Sequence, residues 1–219
     1  SRLGKLTHLP HGRAVPPEHR ATKPLERVDW DYCGPMAVET LGGHRGVLVG
    51  LDRATDYAWA FLVRSRDEVP ALLKDWARQV HTQKGRWPQR LHSDNAGEFT
   101  SAEVEAMCRK VGTVQTQAPP YDPALNGGVE RQNRTLIEAA RTSMLHAGAP
   151  RQLWGEAILA ALEVYNRIRT RESWKDKRPA LQRYLESPHA PSLGHLHPFG
   201  CTAFVRKEDP QIRDKFDAV

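Results

Sequence analysis

Cysteine is scarce in this 219-residue chain: Cys33, Cys108 and Cys201, an odd number with no C-x-x-C pair. That excludes a disulfide framework and a thiolate zinc site, and it predicts a reducing, intracellular setting. No apolar run approaches the roughly 18–20 residues of a membrane helix, so no membrane partner is expected. No targeting pattern of basic, apolar and small residues opens the sequence. Aromatic residues make up only 7%, yet six of them are Trp, and a 39% apolar share is enough to build a core.

Lys and Arg outnumber Asp and Glu by 32 to 26, a net charge of +6. The surplus is uneven. Residues 1–28 carry +4, residues 29–166 carry −2, and residues 167–219 carry +4. Basic flanks suit a polyanionic partner such as nucleic acid; an acidic middle needs another explanation.

Proline and cationic side chains without apolar periodicity make 1–25 an extended arm. His8 and His11, spaced H-x-x-H without other ligands nearby, read as solvated. Val28, Trp30 and Tyr32 alternate with Asp29, Asp31 and Cys33, which predicts a strand with two carboxylates on one face. Short turns lead to strands at 47–51 and 57–63, an antiparallel meander. Val69, Leu72, Leu73, Trp76 and Val80 form one helical face. A fourth strand is expected at 90–92, running into Ser93-Asp94. Thr100-Ser101-Ala102-Glu103 reads as a capping box opening a helix with Val104, Met107, Cys108 and Val111 inward. Val114 marks a fifth strand, and the Pro- and Gly-rich 117–128 a loop. Helices are expected at about 129–146 and 151–169, the second with Trp154, Ala157, Ile158, Ala161, Tyr165 and Ile168 inward. The remainder is Pro-rich and mixed, with a strand at 201–205. His195 and His197 read as surface residues. This order of elements implies an α/β fold with a mixed sheet.

Three acids fall where strand ends and helix starts converge: Asp31, Asp94 after the fourth strand, and Glu130 in the first turn of the long helix. Asp94 and Glu130 have 35 residues between them. On that helix Val129, Leu136, Ala140, Ser143, Met144 and Ala147 form the core stripe. Glu130, Arg134, Ile137 and Arg141 form a second stripe about 100° around. Such an edge fits a phosphodiester laid along the helix. Taken alone, the helix pattern favours a solvated face with Glu130 and Arg134 as an ordinary i,i+4 pair.

Asp31-Tyr32-Cys33-Gly34-Pro35, His92-Ser93-Asp94-Asn95-Ala96-Gly97-Glu98-Phe99, and Asn126-Gly127-Gly128-Val129-Glu130-Arg131-Gln132-Asn133-Arg134-Thr135-Leu136 follow in order. Together they resemble the integrase catalytic core of copia-type LTR retrotransposons, the D,D(35)E branch of the retroviral integrase superfamily. Ala21–Glu26 and Pro198-Phe199-Gly200-Cys201 resemble that core's flanks. The resemblance implies an RNase H-like fold with a five-stranded mixed sheet flanked by helices. It implies a basic arm at 1–25, the catalytic core at 26–171 and a C-terminal extension at 172–219. Asp31, Asp94 and Glu130 would be the catalytic, metal-binding triad for two Mg²⁺ or Mn²⁺ ions. Asp31 takes this role over Asp29 because the family's Asp precedes x-Cys-Gly-Pro. Tyr121, Asn126, Asn133 and Arg134 match DNA-contacting or loop positions, and Arg141 continues their stripe. Double-stranded DNA, a homo-oligomeric state and a nuclear location follow from the same resemblance. The family's His-His-Cys-Cys zinc motif has no counterpart in these residues, and Ala96 stands where Gly is common. A non-catalytic DNA-binding module and a D,D(35)E transposase are the alternatives.

Overall fold

The computed structural model describes residues 21–118, 127–170 and 176–203. Its sheet has five strands in the order β3-β2-β1-β4-β5: β1 (Val28–Cys33), β2 (Gly46–Asp52), β3 (Ala58–Val63), β4 (Arg90–Ser93) and β5 (Val114–Gln117). β1–β2–β3 form the expected antiparallel meander, while β4 and β5 lie parallel to β1. The parallel pairs need crossovers, and two helices supply them: α1 (Val69–Lys84) and α2 (Ala102–Val111). α3 (Gly127–Ala147), α4 (Trp154–Ile168) and the short α5 (Ala180–Leu185) complete the architecture.

Alternation along β1 divides the core in two. Val28 and Trp30 pack with Val69, Leu73, Trp76 and Val80 of α1 and with Val104, Met107 and Cys108 of α2. Trp30 meets Trp76 edge-on at 4.8 Å between ring centroids. Its ring leaves no room across the strand pair, where a Cβ on Gly50 would lie 2.7 Å from it. The other face carries Val47, Val49 and Leu51, covered by Val129, Leu136 and Ala140 of α3 and Ala157 and Ile158 of α4. Asp29 and Asp31 therefore point toward α3.

Several expectations shift. The N-cap of α2 is Ser101, whose side chain accepts from Val104 N–H; the box starting at Thr100 is out by one residue. α3 begins at Gly127, so both glycines lie in its first turn. Ile168, assigned inward, is 56% exposed at the last residue of α4. No strand forms over Cys201–Ala203, and the rest of that expected strand lies outside the described residues. α5 was not anticipated: six residues are too few to show a helical period. Tyr184 nevertheless stacks on Tyr57 at 4.3 Å and is buried. His195 and His197 are exposed, as expected. Among the described residues no helix is long and apolar enough to cross a membrane.

Candidate active site

The site stands at the C-terminal ends of β1 and β4. Parallel pairing sets Asp29 opposite His92, and two residues further along each chain stand Asp31 and Asp94. Adjacent strands lie about 4.8 Å apart, so register alone brings these acids near one another. α3 crosses the same edge of the sheet with Glu130 in its first turn.

Asp31 is the most perturbed of the three. Burial pushes its carboxyl up to about 6, and the negative charges of Asp94 and Glu130 add to the rise. Asn133 opposes it, donating from Nδ2 to Asp31 Oδ2 at 2.6 Å. Asn133 is itself buried, because it lies one helical step from the core stripe on the side facing β1. Asp94 is half-buried and accepts from the Ala96 N–H at 3.1 Å, which ties it to the turn after β4. Glu130 is exposed. Among the described residues no three His, Cys, Asp or Glu side chains are clustered tightly enough to hold a metal ion as placed. The three carboxylates thus share an electrostatic field without yet sharing a ligand sphere.

Neighbouring acids are occupied otherwise. Asp29 is fully buried between Arg27 Nε at 2.6 Å and Arg53 Nε at 3.3 Å, a structural ion-pair cluster. Asp52 accepts from the N–H groups of Leu25, Ala54 and Thr55 and from the Thr55 hydroxyl, closing the turn after β2. His92 bonds to the Thr116 hydroxyl at 3.0 Å, and its pKa is lowered to about 4 by burial and by Arg27, Arg53 and Arg90.

Of the candidate DNA contacts, Arg134 and Arg141 are exposed on α3, and Arg141 borders an open cleft of about 710 Å³ with Ile137, Met144 and Trp154. Asn133 is instead turned inward onto Asp31. Its pairing with Asp31 is a contact within the candidate site that sequence reasoning missed, although the position three residues after Glu130 was a signal for it. Tyr121 and Asn126 lie outside the described residues.

Comparison with known proteins agrees with this architecture. Residues 21–123 match the family described as Integrase core domain. The chain is 33% identical over 199 residues to the Retrovirus-related Pol polyprotein from transposon TNT 1-94 of Nicotiana tabacum, covering 88% of this chain and 14% of that protein. It is 26% identical over 191 residues to the corresponding polyprotein from transposon RE1 of Arabidopsis thaliana, covering 84% and 12%.

The chain belongs to the integrase core family of retroelement Pol polyproteins.

It spans about one-seventh of the length of those polyproteins. Among solved structures, the simian T-cell lymphotropic virus intasome in complex with PP2A regulatory subunit B56 gamma matches with a TM-score of 0.61 and 19% identity, over 84% of this chain and 62% of that one. The HTLV-2 integrase catalytic core domain in complex with magnesium, in a trimeric form, matches at 0.57 and 14%, over 75% and 99%. The fold is the RNase H-like fold of retroviral integrase cores. Integrase cores are generally polynucleotidyl transferases.

Proposed function

We propose that this integrase core is the catalytic unit of a copia-type retrotransposon integrase, trimming the 3′ ends of element DNA and joining them to target DNA. The observation that carries this reading is the convergence of Asp31, Asp94 and Glu130, with Asp31 raised to about 6 by burial and by the other two charges. A buried carboxylate in the field of two more is a good seat for divalent cations, which relieve the like-charge repulsion. The donor set fits Mg²⁺ or Mn²⁺, since all three side chains offer hard oxygen ligands. Asp31, Asp94 and Glu130 would hold the ions, with the half-buried and exposed side chains of the latter two turning inward. Bound there, a pair of such ions supplies an activated attacking oxygen and charge stabilisation of the leaving 3′-oxygen.

The chain's own residues do the rest. Asn133 fixes the rotamer of Asp31, and the Ala96 N–H fixes Asp94. Arg134 and Arg141 continue the stripe that begins at Glu130 and hold the phosphodiester along α3 by charge-assisted hydrogen bonds. The attacking group is water in trimming and a DNA 3′-hydroxyl in joining, so no covalent protein intermediate forms. Joining two ends in concert calls for a homo-oligomer, and integration into chromosomal DNA places the protein in the nucleus.

A strand-transfer assay with labelled terminal-repeat oligonucleotides tests this. The wild-type chain joins ends with Mn²⁺ and not with chelator, and Asp94→Asn, still folded, loses joining at least about 100-fold. Metal-dependent joining retained in Asp94→Asn would refute the assignment.

A further inference from the structure

The flank of α3 turned away from Asp31 borders a second, polar cleft of about 270 Å³, lined by Arg53, Arg131, Gln132, Thr135, Tyr165 and Arg169 among others. At about 100° per residue, Gln132 stands roughly 200° and Thr135 roughly 140° around the helix from Glu130. The cleft and the carboxylate therefore face different sides of one helix start. Three guanidinium groups meet a single carboxylate in the lining, Asp56, whose Oδ2 is 3.9 Å from Arg169 Nε. Arg53 is also tied to the buried Asp29, which holds its guanidinium against Gly128. The N-terminal end of α3 adds its own positive potential.

Gln132 points to a ligand independently of charge. It is 4% exposed, and its Nε2 has no acceptor among the described residues. A buried amide donor without an acceptor bears its full desolvation penalty. Beside a cleft rich in cationic donors, the missing acceptor is best supplied from outside.

We propose that this cleft is a second phosphate site, which holds a non-scissile backbone phosphate of the DNA. The inference rests on the polynucleotidyl-transferase reading above. A phosphate brings acceptor oxygens and negative charge to a site with a surplus of donors, and guanidinium forks match its geometry. The two flanks of α3 are about one helix diameter apart, roughly 10–12 Å. Duplex DNA carries one charge per about 1.7 Å of axis. A duplex lying across the start of α3 therefore presents phosphates to both flanks at once.

The test uses the full chain without metal and a fluorescent duplex of about 30 base pairs, with binding followed by anisotropy from about 50 to 200 mM salt. Arg131→Gln and Arg169→Gln are each expected to weaken binding about 3- to 10-fold and to lower the salt slope by about 1. Gln132→Leu is expected to weaken binding about 3-fold while Tm stays level or rises, since an unpaired buried donor has been removed. In the wild type, the Gln132 side-chain amide resonance shifts on titration with inorganic phosphate and with the duplex. Unchanged affinity and slope in all three variants overturn the proposal. So does a Gln132 resonance that ignores phosphate and moves only with a polyglutamate peptide. Strand transfer measured in parallel keeps the two readings apart. Normal joining with silent cleft variants rejects the cleft alone; weakened duplex binding in those variants with no joining by the wild type rejects the active-site reading and leaves the cleft standing.

Discussion

Asp31 burdens the fold that carries it. A folded-state carboxyl pKa raised from 3.8 to about 6 means that the native state binds the proton more tightly than the unfolded chain does. The stability this gives is fully present below pH 4 and is lost as pH rises through 6, amounting to about 2–3 kcal/mol by neutrality. Asp31→Asn keeps a partner for Asn133 and removes the charge. In metal-free buffer at pH 7.5 it should raise Tm by about 4–8 °C in a scanning calorimeter, with the gain shrinking toward pH 4. No gain at pH 7.5 would mean that Asp31 is not held under electrostatic strain. His92 works with the opposite sign: its folded pKa lies near 4, below the ordinary 6.5. Its contribution is present above 6.5 and lost as pH falls toward 4, on the order of 2 kcal/mol. Asp29 faces it across the register, and Arg27, Arg53 and Arg90 oppose its protonation. Urea midpoints from pH 7 to 4 should fall less steeply in His92→Gln than in the wild type; parallel slopes would contradict the assignment.

At the scale of elements, strands were legible because alternation is short-range and strict. Trp30 and Asp31 fall on opposite faces of β1 whatever lies beyond the strand, and both ended on the side that alternation assigns them. The long helices were legible through their apolar stripes, down to Val129, Leu136 and Ala140. What escaped depends on partners that sequence spacing does not specify. Asn133 is polar and next to the charged stripe of α3, and only the proximity of β1 makes it a buried donor to Asp31. Ile168 looks inward by period but is left exposed where α4 ends. α5 is held by Tyr184 stacking on Tyr57, a contact spanning more than a hundred residues of chain. The cap of α2 is a finer case, since Thr100 and Ser101 both suit the position. The structure chooses Ser101, with a long bond of 3.4 Å to Val104 N–H. Ser101→Ala should cost about 0.5–1 kcal/mol in urea unfolding and Thr100→Ala close to nothing; the reverse order would restore the cap to Thr100.

Across the whole molecule, the division of charge acquires a spatial meaning. The −2 middle of the sequence contains the carboxylates gathered at the ends of β1 and β4 and the start of α3. Most of the first +4 flank lies outside the described residues, whereas the second is described over 167–170 and 176–203. The order of elements pointed to acids at this edge of the sheet, since a parallel β1–β4 pair followed by a helix brings such positions together. The choice of Asp31 over Asp29 and of Glu130 as its companion came from the family resemblance. Neither could reveal how close they stand, since that depends on side-chain rotamers and on bound cations. DNA binding through the flanks should respond mainly to salt, whereas chemistry at the centre should respond to metal and to each of the three acids. The most direct test compares Glu130→Gln with Glu138→Gln, two neutralisations of exposed acids on the same helix, in Mn²⁺-dependent strand transfer. Joining should persist in Glu138→Gln and fall at least about 100-fold in Glu130→Gln. Equal joining by the two variants would contradict the account.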